Sequence, residues 1–542
     1  MGRHQNAEEG LQDQTNILPR GQLLIVITAV AASLLISFVD QNAIGVALPT
    51  IGRELNAANT ISWAGTSSFI GNAAFAGLCG RLSDIFGRKL VYLNALALLC
   101  LADLLCGLSQ NAPMFYVFRG IAGIAGGGIS SLTMIIVSDA VALEDRGKYQ
   151  GILGACMGAG NVIGPFISAA FTQRATWRGI FYLISPLAAV GAVIAWLILP
   201  STMQKDSMKK NVRNIDFYGI LTFSVGIIFV LIPISGGGSY FSWDSPMGIS
   251  MLAIGGCSLL LFLFIEWKVA ALPMLPVSFF QDSVISTLFM QSFLLGASYQ
   301  SYLYYLPLYF ENALQLSAIQ SAILMLPMVS MQSIASIISG QYISRRKRYG
   351  EVIWAGCALW TLGTGLAITF TRTTSQGVMA AVLFTVGTGV GFTLQPGIVA
   401  LQAQCTISKR AAVISNRNFF RSLGGACGLA VSAAVLQSML KANLPEGYKY
   451  LAHMAYAVPE QSSVPATDWD ALLLAYMKAS NAVFILQVPL VGTCLLGCLL
   501  IRDRGLERPR DLGKEPEDQQ GHEPGAEAAL EIKANFERSL QS

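Results

Sequence analysis

Gly80-Arg81-Leu82-Ser83-Asp84-Ile85-Phe86-Gly87-Arg88-Lys89 sets one acid among three bases and carries two glycines. The ten residues separate two apolar blocks, approximately 62–79 and 91–110. Two glycines in so short a link permit a tight turn and close backbone approach. A purely anchoring loop at a membrane surface would explain the bases, because basic residues collect on the cytoplasmic side. It leaves Asp84 and the glycine pair unexplained.

Working outward, the whole chain has the composition of a membrane protein. Of its 542 residues, 53% are hydrophobic and only 12% are charged, and the mean hydropathy is +0.55. Soluble domains carry roughly 25% charged residues. The apolar residues come in blocks long enough to cross a hydrocarbon core of about 30 Å. A β-barrel would instead alternate polar and apolar residues along each strand. The expected fold class is therefore an all-α polytopic membrane protein. The 53 glycines suit helices that pack closely through small residues. The ten cysteines, among them Cys79, Cys100, Cys156, Cys257, Cys427 and Cys498, lie in or beside apolar stretches and read as small buried residues. A net charge of +4 gives no reason to expect a nucleic-acid partner.

Punctuation by charge, proline and glycine predicts about fourteen spans. They cover approximately 22–48, 62–79, 91–110, 113–138, 150–171, 178–199, 217–235, 247–267, 284–308, 317–340, 352–370, 376–402, 412–438 and 480–501. Loops after even-numbered spans hold Arg81, Arg88 and Lys89, then Arg146 and Lys148, Lys205 to Arg213, Lys268, Arg345 to Arg348, and Lys409 with Arg410. The short loops on the other side hold little beyond Arg53, Arg174, Arg178 and Arg372. The asymmetry places the even loops and both termini in the cytoplasm. The domain reading is an N-terminal tail 1–21, a six-helix bundle 22–200, a loop with two inserted helices 201–282, a second bundle 283–501, and a tail 502–542. Within the second bundle, 441–478 is expected to be an external loop with a short interfacial helix around Trp469–Met477. Each bundle carries a Gly-plus-basic loop after its second span, Gly80–Lys89 and Gly340–Arg348. A repeated six-span unit suits a transporter that rocks two bundles about a central site.

Span 5 contains Gly154, Gly158, Gly160 and Gly164-Pro165. Glycines four apart make a small-residue packing face, and Pro165 removes a hydrogen bond and allows bending. Packing alone would also account for this stretch. Within the membrane an ionisable residue is functional by default. Asp40 in span 1 lies roughly 12 Å below the external end of its helix, and Arg119 in span 4 roughly 9 Å below the same face. The pair could neutralise each other. Asp103 in span 3, at similar depth, is the rival partner, and a static ion pair is the plain alternative.

These segments resemble the major facilitator superfamily, whose loop between spans 2 and 3 reads G-x-L-x-D-x-x-G-R-K and is matched at every position. The resemblance implies a cytoplasmic gate at Gly80, Asp84, Gly87, Arg88 and Lys89. Asp40 to Pro49 (DQNAIGVALP) is similar to the span-1 motif of the fourteen-span drug:proton antiporters, with Asn42 and Gly45 substituted. Arg119 to Gly128 (RGIAGIAGGG) resembles their span-4 proton-coupling motif, with Ala122 where Gln is usual. Gly154, Gly158, Gly164 and Pro165 resemble their antiporter motif, with Ser168-Ala169 replacing a closing glycine pair. The likeness covers about residues 22–501 and is fungal in style. It implies two six-helix bundles plus two extra helices, with Asp40 and Arg119 coupling to protons, since spans 1 and 4 line the cavity in that family.

Substrate-cavity candidates are Gln291, Tyr299, Gln300 and Tyr302 in span 9, and Phe384, Phe392 and Gln395 in span 12. Apolar surface with a few hydrogen-bonding tips suits amphipathic organic molecules, although tyrosines also anchor helices at membrane interfaces. The expected function is export of a secondary metabolite, toxin or drug in exchange for protons. Proton-coupled import, as by a siderophore carrier, vacuolar transport of basic amino acids, and a transporter-like sensor are the alternatives. An enzyme is not expected: the three histidines, His4, His453 and His522, lie in tails or a loop, and no phosphate-binding loop is present. No metal or cofactor is expected, since the proton gradient supplies the drive. The expected partners are a small-molecule substrate, protons and the lipid bilayer. The expected state is a monomer, in the plasma or vacuolar membrane.

Overall fold

The computed structural model describes residues 18–57, 60–61, 63–200, 216–236, 244–270, 272–406, 409–454, 464–503 and 505–506. Among them are fourteen helices of 18 residues or more. They are α1 (Arg20–Glu54), α2 (Trp63–Phe86), α3 (Arg88–Leu108), α4 (Ala112–Ala140), α5 (Arg146–Arg174), α6 (Arg178–Ile198), α7 (Phe217–Gly236) and α8 (Pro246–Lys268). There follow α9 (Ser283–Asn312), α10 (Ala318–Arg346), α11 (Gly350–Ala367), α12 (Gln376–Ala403), α13 (Arg410–Asn443) and α14 (Ala466–Gly497). Residues 1–17 of the expected 1–21 tail, the Lys205–Arg213 loop and most of 502–542 lie outside the described residues.

Eleven of these helices are long and apolar enough to cross a membrane on their own composition. The other three are α2, α9 and α11. Two of them carry rows of buried polar residues, Ser68, Asn72 and Ser83 in α2, and Gln291, Ser292, Ser298 and Ser301 in α9. Helices enclosed by other helices face protein rather than lipid, so they need not be apolar all round. By contrast, α6 and α8 turn Leu187, Val190, Val193, Trp196 and Leu260, Leu263, Phe264, Trp267 outward. Such rows are stable only against lipid or another apolar surface.

Two boundaries and the burial of one cysteine differ from the sequence reading. Trp469–Met477 is no separate interfacial helix but the first turns of α14, because Pro465 and Asp468 start a helix that continues without interruption. Helix α13 extends to Asn443, which shortens the connecting segment further. Cys257 is exposed on α8 rather than buried, since that helix faces outward; all ten cysteines are free thiols.

Helices α1 to α6 bury one core, including Leu34, Tyr92, Leu99, Ile129 and Leu132. Helices α9 to α14 bury another around Tyr309, Trp360, Val386 and Phe484. The inserted α7 does not stand off. Its Phe223 ring lies 5.0 Å from Phe262 of α8 and 5.0 Å from Phe419 of α13, and its Ile227 and Leu231 join a cluster with Ile70 and Leu78 of α2. The end of the molecule that holds Gly80–Lys89, Arg146, Arg346 and Arg410 is called the basic end below.

Candidate functional site

At the basic end, Gly87 caps α3 with φ 88°, a conformation other residues adopt only with strain. The sharp turn brings Arg88 back onto Asp84 at 2.7 Å, and Arg81 lies 3.6 Å from the same acid. Arg88 also pairs with Asp139 at 3.0 Å. Asp139 in turn receives Arg410, at the start of α13, at 2.9 Å. Gly80 presses against α13: a side-chain carbon there would lie 2.6 Å from the Ala411 carbonyl oxygen. Its amide donates to Ser415 Oγ at 2.9 Å. Gly80, Asp84, Gly87 and Arg88 thus form one network that joins α2, α3 and α4 to α13. Lys89 stands apart from it. Its Nζ donates to the Leu199 carbonyl at 2.7 Å, capping the end of α6 within the same half. Lys347 and Ser344 reach Glu144 and Asp145 across the halves nearby.

The link after α8 also enters this network. Arg81 Nε donates to the Pro273 carbonyl at 2.7 Å, and Asn416 of α13 donates to the Met274 carbonyl at 2.8 Å. Buried Glu266, in the last turn of α8, accepts the amides of Met274 and Leu275 at 2.9 and 3.3 Å. The inserted helices are therefore tied to both halves at the basic end.

The glycines of α5 form a seam against α10. A side-chain carbon at Gly154 would meet Ser336 Oγ at 2.1 Å, and one at Gly158 would meet Ser333 Oγ at 2.1 Å. Gly164 faces the other way, 2.8 Å by the same measure from the Val39 carbonyl of α1. Pro165 sits inside α5 without ending it.

Toward the opposite end, Arg119 Nη1 donates to Asp40 Oδ1 at 2.7 Å, and Asp103 Oδ1 lies 3.7 Å from the same nitrogen. Arg119 and Asp103 are wholly buried and Asp40 nearly so. The rivalry between the two acids is resolved as sharing: one guanidinium sits between two carboxylates. Neither Asp103 oxygen has a hydrogen-bond donor, and Nε and Nη2 of Arg119 have no acceptor. The Phe181 ring lies 5.8 Å from the guanidinium. Two carboxylates and one guanidinium leave a net charge of −1, which one proton cancels. Burial penalises the uncancelled charge.

The cavity candidates divide. Tyr299 is central: its hydroxyl receives Asn161 Nδ2 of α5 at 2.6 Å and donates to Gln332 Oε1 of α10 at 2.8 Å. Asn161 accepts in turn from Asn42 of α1 at 2.9 Å. Gln395 also crosses the halves, with Nε2 3.3 Å from Met157 Sδ. Gln300 lies against Gly425 of α13. Gln291 instead bonds the Cys494 carbonyl of α14 at 2.8 Å, and Tyr302 stacks on Phe484 of α14 at 5.8 Å. Phe392 packs against Gly356 of α11, and Phe384 is 49% exposed on the outer face of α12. These four point away from the centre because a single helix turns its residues to every side, which residue type alone does not resolve.

Comparison with known proteins agrees with this architecture. The family model described as Major Facilitator Superfamily matches residues 30–429. The chain belongs to the major facilitator superfamily. It is 46% identical over 526 residues, 95% of its length, to Citrate exporter 1 of Yarrowia lipolytica, covering 78% of that protein. It is 40% identical to the MFS-type transporter clz4 of Cochliobolus lunatus, over 94% of this chain and 91% of that one. Among solved structures, the human organic anion transporter MFSD10 aligns with TM-score 0.56 at 16% identity, covering 88% of this chain and all of that one. The proton:xylose symporter XylE aligns with TM-score 0.60 at 13% identity, over 90% and 98%. The two structures share the major facilitator fold with this transporter.

Sequence reasoning missed the Asn42–Asn161–Tyr299–Gln332 chain, the Asp139–Arg410 pair, and two arginines of α13, buried Arg417 and half-buried Arg421. The signal for the arginines was present: two bases one turn apart inside an apolar span meet the same criterion that singled out Asp40.

Proposed function

We propose that this major facilitator is a proton-driven exporter of small organic molecules, with the basic end in the cytoplasm and protons entering as cargo leaves. The observation that supports the reading best is the shared guanidinium: Asp40 at 2.7 Å and Asp103 at 3.7 Å from one Arg119 nitrogen. Such a site is neutral with one proton and charged without it, so loading and release can be tied to which side is open. Protonation from outside weakens the hold of the acids on Arg119. Deprotonation toward the cytoplasm restores it and resets the carrier. The transporter would work as a monomer in the plasma membrane.

For cargo, a polycarboxylate is favoured over amphipathic compounds. Four of the apolar or aromatic-flanking candidates, Gln291, Tyr302, Phe384 and Phe392, lie away from the centre, and a relative at 46% identity bears the name of a citrate exporter. The test is efflux of labelled citrate from cells that express the wild type or Asp40→Asn, with the outside acidified. Efflux stopped both by a protonophore and by the substitution is the expected result. Efflux indifferent to both overturns proton antiport, and acid-driven uptake with no efflux reverses the direction.

A further inference from the structure

We propose that Arg417 and Arg421 of α13 form an anion site that takes the carboxylate groups of the cargo. This rests on the exporter reading above and names the chemistry that holds the cargo.

The two residues stand one helical turn apart, about 10 Å and about 16 Å along α13 from Arg410 at the basic end. Arg417 is 3% exposed. What it touches is neutral: Nη2 donates to the Leu394 carbonyl at 2.5 Å and Nη1 to Asn418 Oδ1 at 3.1 Å. The Nε atoms of both arginines are buried without an acceptor. Among the described residues, every fully buried acid is committed elsewhere. Asp40 and Asp103 flank Arg119, Asp84 holds Arg88, Asp139 holds Arg88 and Arg410, and Glu266 holds two amides. No ion pair among the described residues reaches Arg417 or Arg421.

A guanidinium buried without a counter-charge is costly, and two cations at i and i+4 repel each other besides. A protein retains such a pair where an anion arrives to cancel it. Two charges one turn apart match a ligand with two carboxylates better than one with a single carboxylate, and arginine offers each a forked donor.

The surroundings fit a cargo site between the halves. Arg417 reaches α12 through Leu394, and the Arg421 backbone presses on Gly296 of α9, three residues before Tyr299. Tyr299 is a link in the polar chain that runs through Asn161 to Asn42. Asn42 is two residues from Asp40. An anion at the arginine pair would therefore stand beside a polar chain that runs from α9 through α5 to α1 and ends two residues from Asp40.

The test is citrate binding to the purified full-length protein in detergent, by titration calorimetry and by thermal shift, with triethyl citrate as the uncharged control. Wild type is expected to bind citrate and not the ester. Arg417→Gln and Arg421→Gln are each expected to weaken citrate roughly tenfold to a hundredfold, equivalent to one lost charge-assisted hydrogen bond. Arg421→Lys keeps the charge and is expected to lose less than Arg421→Gln. Without ligand, Arg421→Gln is expected to unfold no earlier than wild type, because it removes a repulsion; a purely structural arginine would behave oppositely. Equal citrate affinity in wild type and both Gln variants, ester binding as tight as citrate, or no citrate binding by wild type overturns the site. Citrate binding that depends on the arginines while proton-driven efflux fails leaves the site standing and removes the antiport reading alone.

Discussion

Arg410 of α13 donates to Asp139 of α4 at 2.9 Å, and the contact closes the basic end between the first and last six helices. Asp139 also holds Arg88 at 3.0 Å, so a single carboxylate binds the Gly80–Lys89 loop to the far half. Truncating one partner of a buried, hydrogen-bonded charge pair typically costs about 2–5 kcal/mol. Asp139→Asn is expected to open the basic end. Alkylation of a cysteine introduced at buried Ser415 should then rise by at least roughly tenfold. Restoring the pair in reverse, Asp139→Arg with Arg410→Asp, should recover part of the protection. Unchanged labelling in the single variant would show that the pair does not hold the end shut.

Asp40 and Asp103 are expected to differ in their loss. Asp103→Asn leaves the 2.7 Å Asp40–Arg119 bond intact and brings the cluster to neutrality without a proton. Cargo exchange without a pH gradient should survive it, whereas proton-driven accumulation should fall by about two orders of magnitude, the usual scale for a lost proton-transfer group. Asp40→Asn should impair both. Identical behaviour of the two variants would mean that the acids act as one structural unit.

On the α5–α10 seam, Gly158→Val should clash with Ser333 Oγ and cost about 1–3 kcal/mol of packing. Gly158→Val with Ser333→Gly should recover much of it. A melting temperature that is as low in the double variant as in the single one would place the strain elsewhere.

At the opposite end, Glu54 accepts from Trp177 Nε1 at 2.6 Å and pairs with Arg178. The Arg178 hydrogen bond, with help from Trp177, holds the Glu54 carboxyl below its ordinary value despite some desolvation. A depressed folded value gives stability that is present above the unfolded value, near about 4.3, and lost as pH falls through the folded value. The melting temperature of Glu54→Gln should therefore lie below wild type at neutral pH and converge on it in acid. A gap that persists at pH 3 would argue for packing rather than charge.

Much of the fold was legible because lipid imposes length and apolarity on each span and the basic loops punctuate them. Helix pairs at the basic end were legible for a local reason: Gly87, Asp84 and Arg88 lie within one turn of each other. Side-chain direction was not legible. Gln291 and Tyr299 are eight residues apart on α9, yet one bonds α14 and the other α5 and α10. Arg417 and Arg421 escaped because the reading of charge inside the membrane considered only Asp40, Asp103 and Arg119 of the first bundle. The link at Pro273 to Leu275 escaped because its partners, Arg81 and Asn416, are far off in sequence.

The row of glycines on α5 has a mechanical consequence. Gly147, Gly151, Gly154 and Gly158 leave hollows that recur every three or four residues, and the Ser336 and Ser333 hydroxyls sit in two of them as teeth sit in a rack. Hollows about one helical pitch apart, near 5.4 Å, give the two helices a set of preferred positions with ridges between them. Relative travel along this line would then proceed by notches rather than by drift. The carrier would spend its time in a few well-defined stops, and a tooth made longer or removed would change how long it waits at each.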